Sequence, residues 1–210
     1  MAKPKQDCAR DHQHRSTLRK HYRQLRRSLN THQQQYAALS LARQLIRSPY
    51  FLRAKNITVY WPDDGEISLL PFIERAWAMN KNVYLPVVTQ RNMQFARFKP
   101  NNAIADGKWE IPLPIPTRPV KPLILDTLII PLVAFDACGN RLGRGGGFYD
   151  RFINQLPRFR TVDTRPSGQT KNPAIIGVAH QCQRADSIPA APWDMPVDAV
   201  CTDTALHIFS

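Results

Sequence analysis

At 210 residues, 43% hydrophobic and 21% charged, the chain can build one substantial core and is too apolar to be a disordered polyelectrolyte. Its formal charge of +13 is uneven: nine basic residues face two acidic ones before residue 30, which points to a polyanionic partner without separating nucleic acid from a triphosphate. No apolar run approaches the roughly 20 residues of a membrane span, the polar start lacks a signal-peptide stretch, and Cys8, Cys138, Cys182 and Cys201 form no CxxC pair, so a reducing, cytoplasmic setting is expected.

Residues 1–11 read as a flexible tail, followed by a single domain over 12–210. Leu18, Tyr22, Leu25 and Leu29 recur at helical spacing, predicting a helix from about His12 to Leu29. Arg15, Arg19, Arg23 and Arg26 form a second stripe beside the apolar one, so the helix can pack on a body while its arginines face a rim. The plainer reading is a solvated basic face, and His12, His14, His21 and His32 read as solvated helix histidines rather than metal ligands. Thr31 with Gln34 resembles a capping box opening a second helix, closed at Ser48-Pro49. Ile57, Val59 and Trp61 predict a strand, closed by Pro62 and the turn Asp63-Asp64-Gly65. Glu66 leads into a helix over roughly 68–79, then come strands at 82–88 and 93–98. Prolines 112, 114, 116, 119 and 122 predict an extended connection. Strands alternating with helices argue for an α/β domain with a mainly parallel sheet flanked by helices, the basic N-terminal helix packed on it. In such sheets ligands gather beyond the carboxyl ends of the strands.

Leu128 to Phe135 reads as a buried strand interrupted by Pro131, and Tyr149 to Leu156 as a helix, with 157–173 a long polar loop, 174–178 a strand and 199–202 the last strand. Between the first strand and helix lie Arg141, Leu142, Gly143, Arg144, Gly145, Gly146 and Gly147, then Phe148, Tyr149 and Asp150. A glycine turn leading into a helix N-terminus can aim backbone N–H groups at an anion, and arginine forks match phosphate oxygens. The alternative is an ordinary surface turn. The nucleotide P-loop is excluded because Phe148 follows Gly147 where Lys is required, and the dinucleotide fingerprint lacks its third glycine.

Read whole, Asn140-Arg-Leu-Gly-Arg-Gly-Gly-Gly-Phe-Tyr-Asp150 resembles the signature of the 5-formyltetrahydrofolate cyclo-ligases (methenyltetrahydrofolate synthetases), with Gly146 in place of a frequent Lys and Phe148 in place of a Tyr. Arg15-Ser-Thr-Leu-Arg19, the stretch Gly65-Glu66-Ile67, Trp109-Glu-Ile-Pro-Leu-Pro114 and Pro192-Trp-Asp194-Met-Pro196 are similar to further family segments in the same order. The resemblance implies an ATP- and Mg²⁺-dependent ring closure of reduced folate, with or without a polyglutamate tail. It assigns Arg15, Arg19, Arg141, Arg144 and the residues from Leu142 to Tyr149 to ATP. It assigns Arg19, Trp61, Glu66, Trp109, the glycines 145–147 and Phe148 to folate, and Asp150 with Asp194 to Mg²⁺. Arg144 and Asp150 carry the catalytic expectation, and a monomer is expected. Two rivals stay open: a nucleic-acid-binding module built on the basic helix, though recognised nucleic-acid motifs are missing from the sequence, and an ATP-independent α/β enzyme acting on a sugar phosphate or thioester.

Overall fold

The computed structural model describes residues 5–89, 92–105, 113–156, 173–191 and 194–209, with side chains from residue 12 onward. Helix α1 (Lys5–Arg27) begins well before the expected onset, so the stretch read as a tail is helical from Lys5. No Gly or Pro interrupts this segment, and Lys, Gln, Ala and Arg are strong helix formers. In α2 (Thr31–Arg47) the capping box lies one residue earlier than expected: Asn30 caps Gln33 and the Gln33 side chain returns the bond. Asparagine outranks threonine at an N-cap, which leaves Gln34 available for other partners. A short α3 (Pro49–Arg53), capped by Ser48, had no sequence expectation of its own.

Strand β1 (Asn56–Thr58) is shorter than expected. Then follow α4 (Leu70–Ala78), β2 (Asn82–Val88) and β3 (Met93–Phe98). Between β3 and β6, β4 (Ala103–Ala105) pairs with β5 (Leu113–Ile115) of the proline-rich connection as a small antiparallel ribbon. The strand expected over 128–135 is divided in two. β6 (Thr127–Pro131) ends at the proline, which has no N–H for a ladder; β7 (Ala134–Phe135) instead pairs with β8 (Arg141–Leu142) in a separate ribbon. The chain continues through α5 (Phe148–Gln155), β9 (Ala174–Val178), β10 (Ala199–Cys201) and an unanticipated β11 (Leu206–Ile208). The expected loop at 157–173 lies almost wholly outside the described residues.

The main sheet has seven strands in the order β11-β10-β9-β6-β1-β2-β3. The strands from β10 to β2 run parallel and the two edge strands antiparallel, which is the mixed, mainly parallel α/β fold read from the sequence. Side chains alternate across β6: Ile129 enters a core with Leu41, Phe51 and Phe72 beneath α2–α4, whereas Leu128 and Ile130 enter a core with Phe152 and Ile153 of α5. Burying a residue such as Leu128 or Ile129 contributes roughly 1.5–3 kcal/mol. Leu18 and Tyr22 of α1 pack on a smaller cluster of Ala134, Leu142, Ala185 and Ile188. The N-terminal helix therefore lies over β7, β8 and the segment beyond β9, at the carboxyl end of the sheet.

Candidate active site

Sheet order departs from chain order at β1, which pairs with β2 on one side and β6 on the other. Such a reversal opens a crevice beyond the strand ends. The loop after β1, carrying Asp63 to Glu66, meets there the loop after β8, carrying the glycines. Arg144 makes the junction: its Nη1 donates to Asp63 Oδ2 at 2.7 Å and lies 3.9 Å from Glu66 Oε1.

The Glu66 side chain is 5% exposed. Its Oε2 accepts from the Asp63 N–H at 3.3 Å, while its Oε1 has no hydrogen-bond partner. Burial pushes the carboxyl up to about 7 despite the opposing pull of Arg26 and Arg144. Tyr60 and Tyr149 are raised as well, by burial first and by the Glu66 charge second. An acceptor oxygen left open in so dry a position suits the amino and ring N–H donors of a flat heterocycle. Trp61 stands nearby in sequence and packs edge-on to Phe98 with centroids 6.4 Å apart, so it serves the core as much as any ligand. Trp109 lies outside the described residues.

The glycine loop is anchored at its base by Asp136, 2% exposed. Its carboxylate accepts from the N–H groups of Cys138, Asn140 and Ile188 and from the Asn140 amide. Gly145 holds φ +103, a conformation that L side chains resist. Space beside Gly143 is open for 4 Å, so a ligand can approach the main chain there. Gly147 is the N-cap of α5 and supplies no side chain, so the first amides of that helix receive no side-chain cap. Gly146 lies against the Phe148 ring, and Phe148 in turn carries the Arg151 guanidinium over its face, 4.9 Å from the centroid. Leu142 is fully buried and contributes its carbonyl, which accepts from the Val133 N–H at 2.7 Å.

α1 closes the cleft. Arg19 Nε donates to the Gly143 carbonyl at 2.9 Å; burial and neighbouring Arg15 lower its affinity for a proton, with Asp194 opposing. Arg15 grips Asp194 with both terminal nitrogens. Arg141, expected to meet phosphate, has a buried guanidinium that pairs with Asp150 and donates to the Met195 carbonyl.

Three features escaped sequence reasoning. Asp64 receives Arg23, Arg26 and Arg27; burial opposes its ionisation, yet these hydrogen bonds hold the carboxyl well below the usual range. His180 is 2% exposed and burial lowers its affinity for a proton, although Asp203 and the Gly65 backbone pull the other way. Asp63 is the partner of Arg144. The Asp63-Asp64 doublet was the available signal, and it was read only as a turn.

The family model for the 5-formyltetrahydrofolate cyclo-ligase family matches residues 11–203. The chain belongs to this family. It is an enzyme of the cyclo-ligase type. It is 37% identical over 185 residues to the 5-formyltetrahydrofolate cyclo-ligase of Escherichia coli K12, covering 86% of this chain and 95% of that one. Against the Haemophilus influenzae cyclo-ligase identity is 38% over 192 residues, covering 88% and 95%. The fold superposes on the NMR structure of Aquifex aeolicus 5,10-methenyltetrahydrofolate synthetase with a TM-score of 0.76 and 28% identity, over 92% of each chain. The Mycoplasma pneumoniae synthetase gives 0.69 and 25%, over 90% of this chain and 98% of that one. Cyclo-ligase membership weighs against the rival readings as a nucleic-acid module or a sugar-phosphate enzyme. No described helix is long and apolar enough to cross a membrane.

Proposed function

We propose that this protein closes 5-formyltetrahydrofolate to 5,10-methenyltetrahydrofolate at the expense of ATP, releasing ADP and phosphate, as a monomer in a reducing cytoplasm. The observation that carries the reading is the Arg144 junction, which joins an anion-ready glycine loop to a buried, half-satisfied carboxylate in one crevice.

A formamide carbonyl is a weak electrophile with a poor leaving group. Transfer of the terminal phosphoryl group of ATP to the formyl oxygen turns that oxygen into a phosphate ester. The N10 amine of the same folate then attacks the formyl carbon, loses its proton, and expels phosphate as the ring closes. Both nucleophiles belong to the substrate, so the protein's task is positioning and charge stabilisation. In this reading the amides from Gly143 to Gly147 and the Arg144 guanidinium meet the phosphates, with Arg19 holding the loop's outer wall. Glu66 takes the pterin donors, Trp61 and Trp109 border the ring, and Phe148 stands where the two ligands meet.

The donors fit Mg²⁺ unequally. Among the described residues no group of three His, Cys, Asp or Glu side chains gathers as a cage. Asp150 uses Oδ1 for Arg141 and the Met195 N–H and keeps Oδ2 for a cation, whereas both Asp194 oxygens are taken by Arg15 and one also by the Ala191 N–H. One carboxylate completed by phosphate oxygens and water is a usual arrangement for Mg²⁺. Asp150 is therefore the first protein ligand in this reading, and Asp194 joins only if Arg15 releases it. The ion would offset negative charge on the triphosphate.

Mixing the purified protein with 5-formyltetrahydrofolate, ATP and Mg²⁺ tests the reading. Methenyl product should appear with equal ADP, and no product should form without ATP. Product formation that ignores ATP, or ATP hydrolysis with no ring closure, would overturn it.

A further inference from the structure

We propose that Arg26 is a positioning residue for folate capture, its buried guanidinium holding the turn from Asp63 to Glu66 and fixing Glu66 Oε1, which lacks a hydrogen-bond partner, beside the Arg144 junction. The inference rests on the reading of Glu66 as the pterin contact.

Arg26 is fully buried, and a buried guanidinium needs partners for its whole fork. It finds them on two separate elements. Nε donates to the Asp64 carbonyl at 2.8 Å, Nη2 to Asp64 Oδ2 at 2.8 Å, and Nη1 to the Leu132 carbonyl, just past β6, at 3.3 Å. Nη2 also stands 3.6 Å from Glu66 Oε1, the atom that lacks a hydrogen bond. One side chain of α1 thus spans the crevice wall from the β1 loop to the β6 end.

The turn it holds is not one that would keep its shape unaided. Asp64 and Gly65 take φ values of +56 and +76 in succession, and an aspartate reaches that region only where its surroundings favour it. Space for a side chain at Gly65 is closed by the Arg26 carbonyl, 3.2 Å from where a Cβ would lie. Gln34 ties the same two segments by donating to the Arg26 and Gly65 carbonyls at 3.1 and 3.3 Å. Arg23 and Arg27 also reach Asp64, but their side chains are 39% and 58% exposed, whereas that of Arg26 is 0% exposed. The other cation near Glu66, Arg144, is 46% exposed and committed to Asp63. Arg26 is therefore the dry, fixed charge behind the carboxylate. A lysine could keep the charge but not serve these acceptors at once.

The test is steady-state kinetics on Arg26→Lys, Glu66→Gln and the double variant, with folate and ATP varied separately. Arg26→Lys should raise the folate KM by about tenfold or more and change the ATP KM by less than about twofold. In the Glu66→Gln background, adding Arg26→Lys should raise the folate KM by less than about a further twofold, because its effect passes through Glu66. A folded Arg26→Lys with unchanged folate KM, while Glu66→Gln is impaired, would overturn the proposal, as would multiplying effects in the double variant. An unchanged folate KM in Glu66→Gln would instead remove the reading of Glu66 itself, and this proposal with it. Should Arg26→Lys fail to fold, Asp64→Asn carries the test. Asparagine tolerates the positive φ and weakens the hold on Arg26, so the same selective rise in folate KM is expected, and an unchanged value would overturn the proposal.

Discussion

Arg15 and Asp194, 179 residues apart, form a two-point ion pair with Nη1 2.6 Å from Oδ2 and Nη2 2.9 Å from Oδ1. The same Nη1 donates to the Pro189 carbonyl at 2.6 Å, and the two side chains are 7% and 16% exposed. This pair joins the first helix to the C-terminal segment, so its first consequence is for stability. Arg15→Ala and Asp194→Ala should each lower the unfolding free energy by about 2–3 kcal/mol, the worth of hydrogen bonds to charged groups that are mostly dry. Urea denaturation of both single variants and the double should give a double loss well short of the sum. Additive losses would mean that the contact contributes nothing.

A second consequence separates the two carboxylates. If Asp150 is the Mg²⁺ ligand proposed above, Asp150→Asn should raise the Mg²⁺ concentration for half-maximal turnover by about tenfold, since Arg141 and the Met195 N–H both use Oδ1. Asp194→Asn should act mainly on thermal stability. Metal titrations of turnover at saturating ATP distinguish them, and equal shifts in both variants would show that Arg15 yields Asp194 to the ion.

Gly145→Val tests the loop. A β-branched residue at φ +103 costs about 1–3 kcal/mol of local strain and crowds the main chain toward Arg19. The ATP KM should rise about tenfold with the folate KM nearly unchanged. An unaltered ATP KM in a folded variant would remove the phosphate role from this bend.

Glu66 predicts a pH dependence of both stability and binding. Its carboxyl keeps its proton up to about 7 in the native protein, against 4.5 as the ordinary value. Between those limits the native state binds more protons than the unfolded state, so stability falls as pH rises from about 4.5 and levels off above 7. The loss is on the order of 3 kcal/mol. Glu66→Gln, which cannot ionise, should gain stability relative to the parent as pH rises through this window, and melting curves at pH 5 and pH 8 measure it. Folate binding should run the other way in the parent, tightening (a lower KM) as pH rises through 7 and the acceptor becomes charged, and the Gln variant should lose that slope.

The Arg144 junction was legible only in halves. The glycine loop announced itself because anion binding by main chain needs several small residues together, and the Gly65-Glu66 turn because Pro62, Asp63 and Gly65 punctuate a strand. Nothing local says that Arg144 and Asp63, 81 positions apart, will meet; that follows from β1 and β6 lying side by side in the sheet. The arginines of α1 show the same limit. Their periodicity put Arg15, Arg19, Arg23 and Arg26 on one face, but a buried guanidinium and a solvated one leave the same pattern, and the charge read as a lure for polyanions is partly neutralised inside by Asp64 and Asp194. Arg141 shows a related limit: the motif says nothing of the Asp150 carboxylate and Met195 carbonyl that its guanidinium also holds. The split of the strand at Pro131 was signalled, and only the re-pairing of its second half with β8 needed coordinates.

α1 touches the C-terminal segment through Arg15, the glycine bend through Arg19 and the Asp64 turn through Arg23 and Arg26, over a rise of about 16 Å. A helix turns about 100° per residue, so one amino acid inserted between Arg19 and Arg23 would swing the C-terminal pair a quarter-turn or more out of phase with the N-terminal pair. The spacing of these arginines thus acts as a ruler: length changes at the start of the chain are harmless to it, whereas a single-codon insertion within the rod would unfasten one side of the cleft from the other.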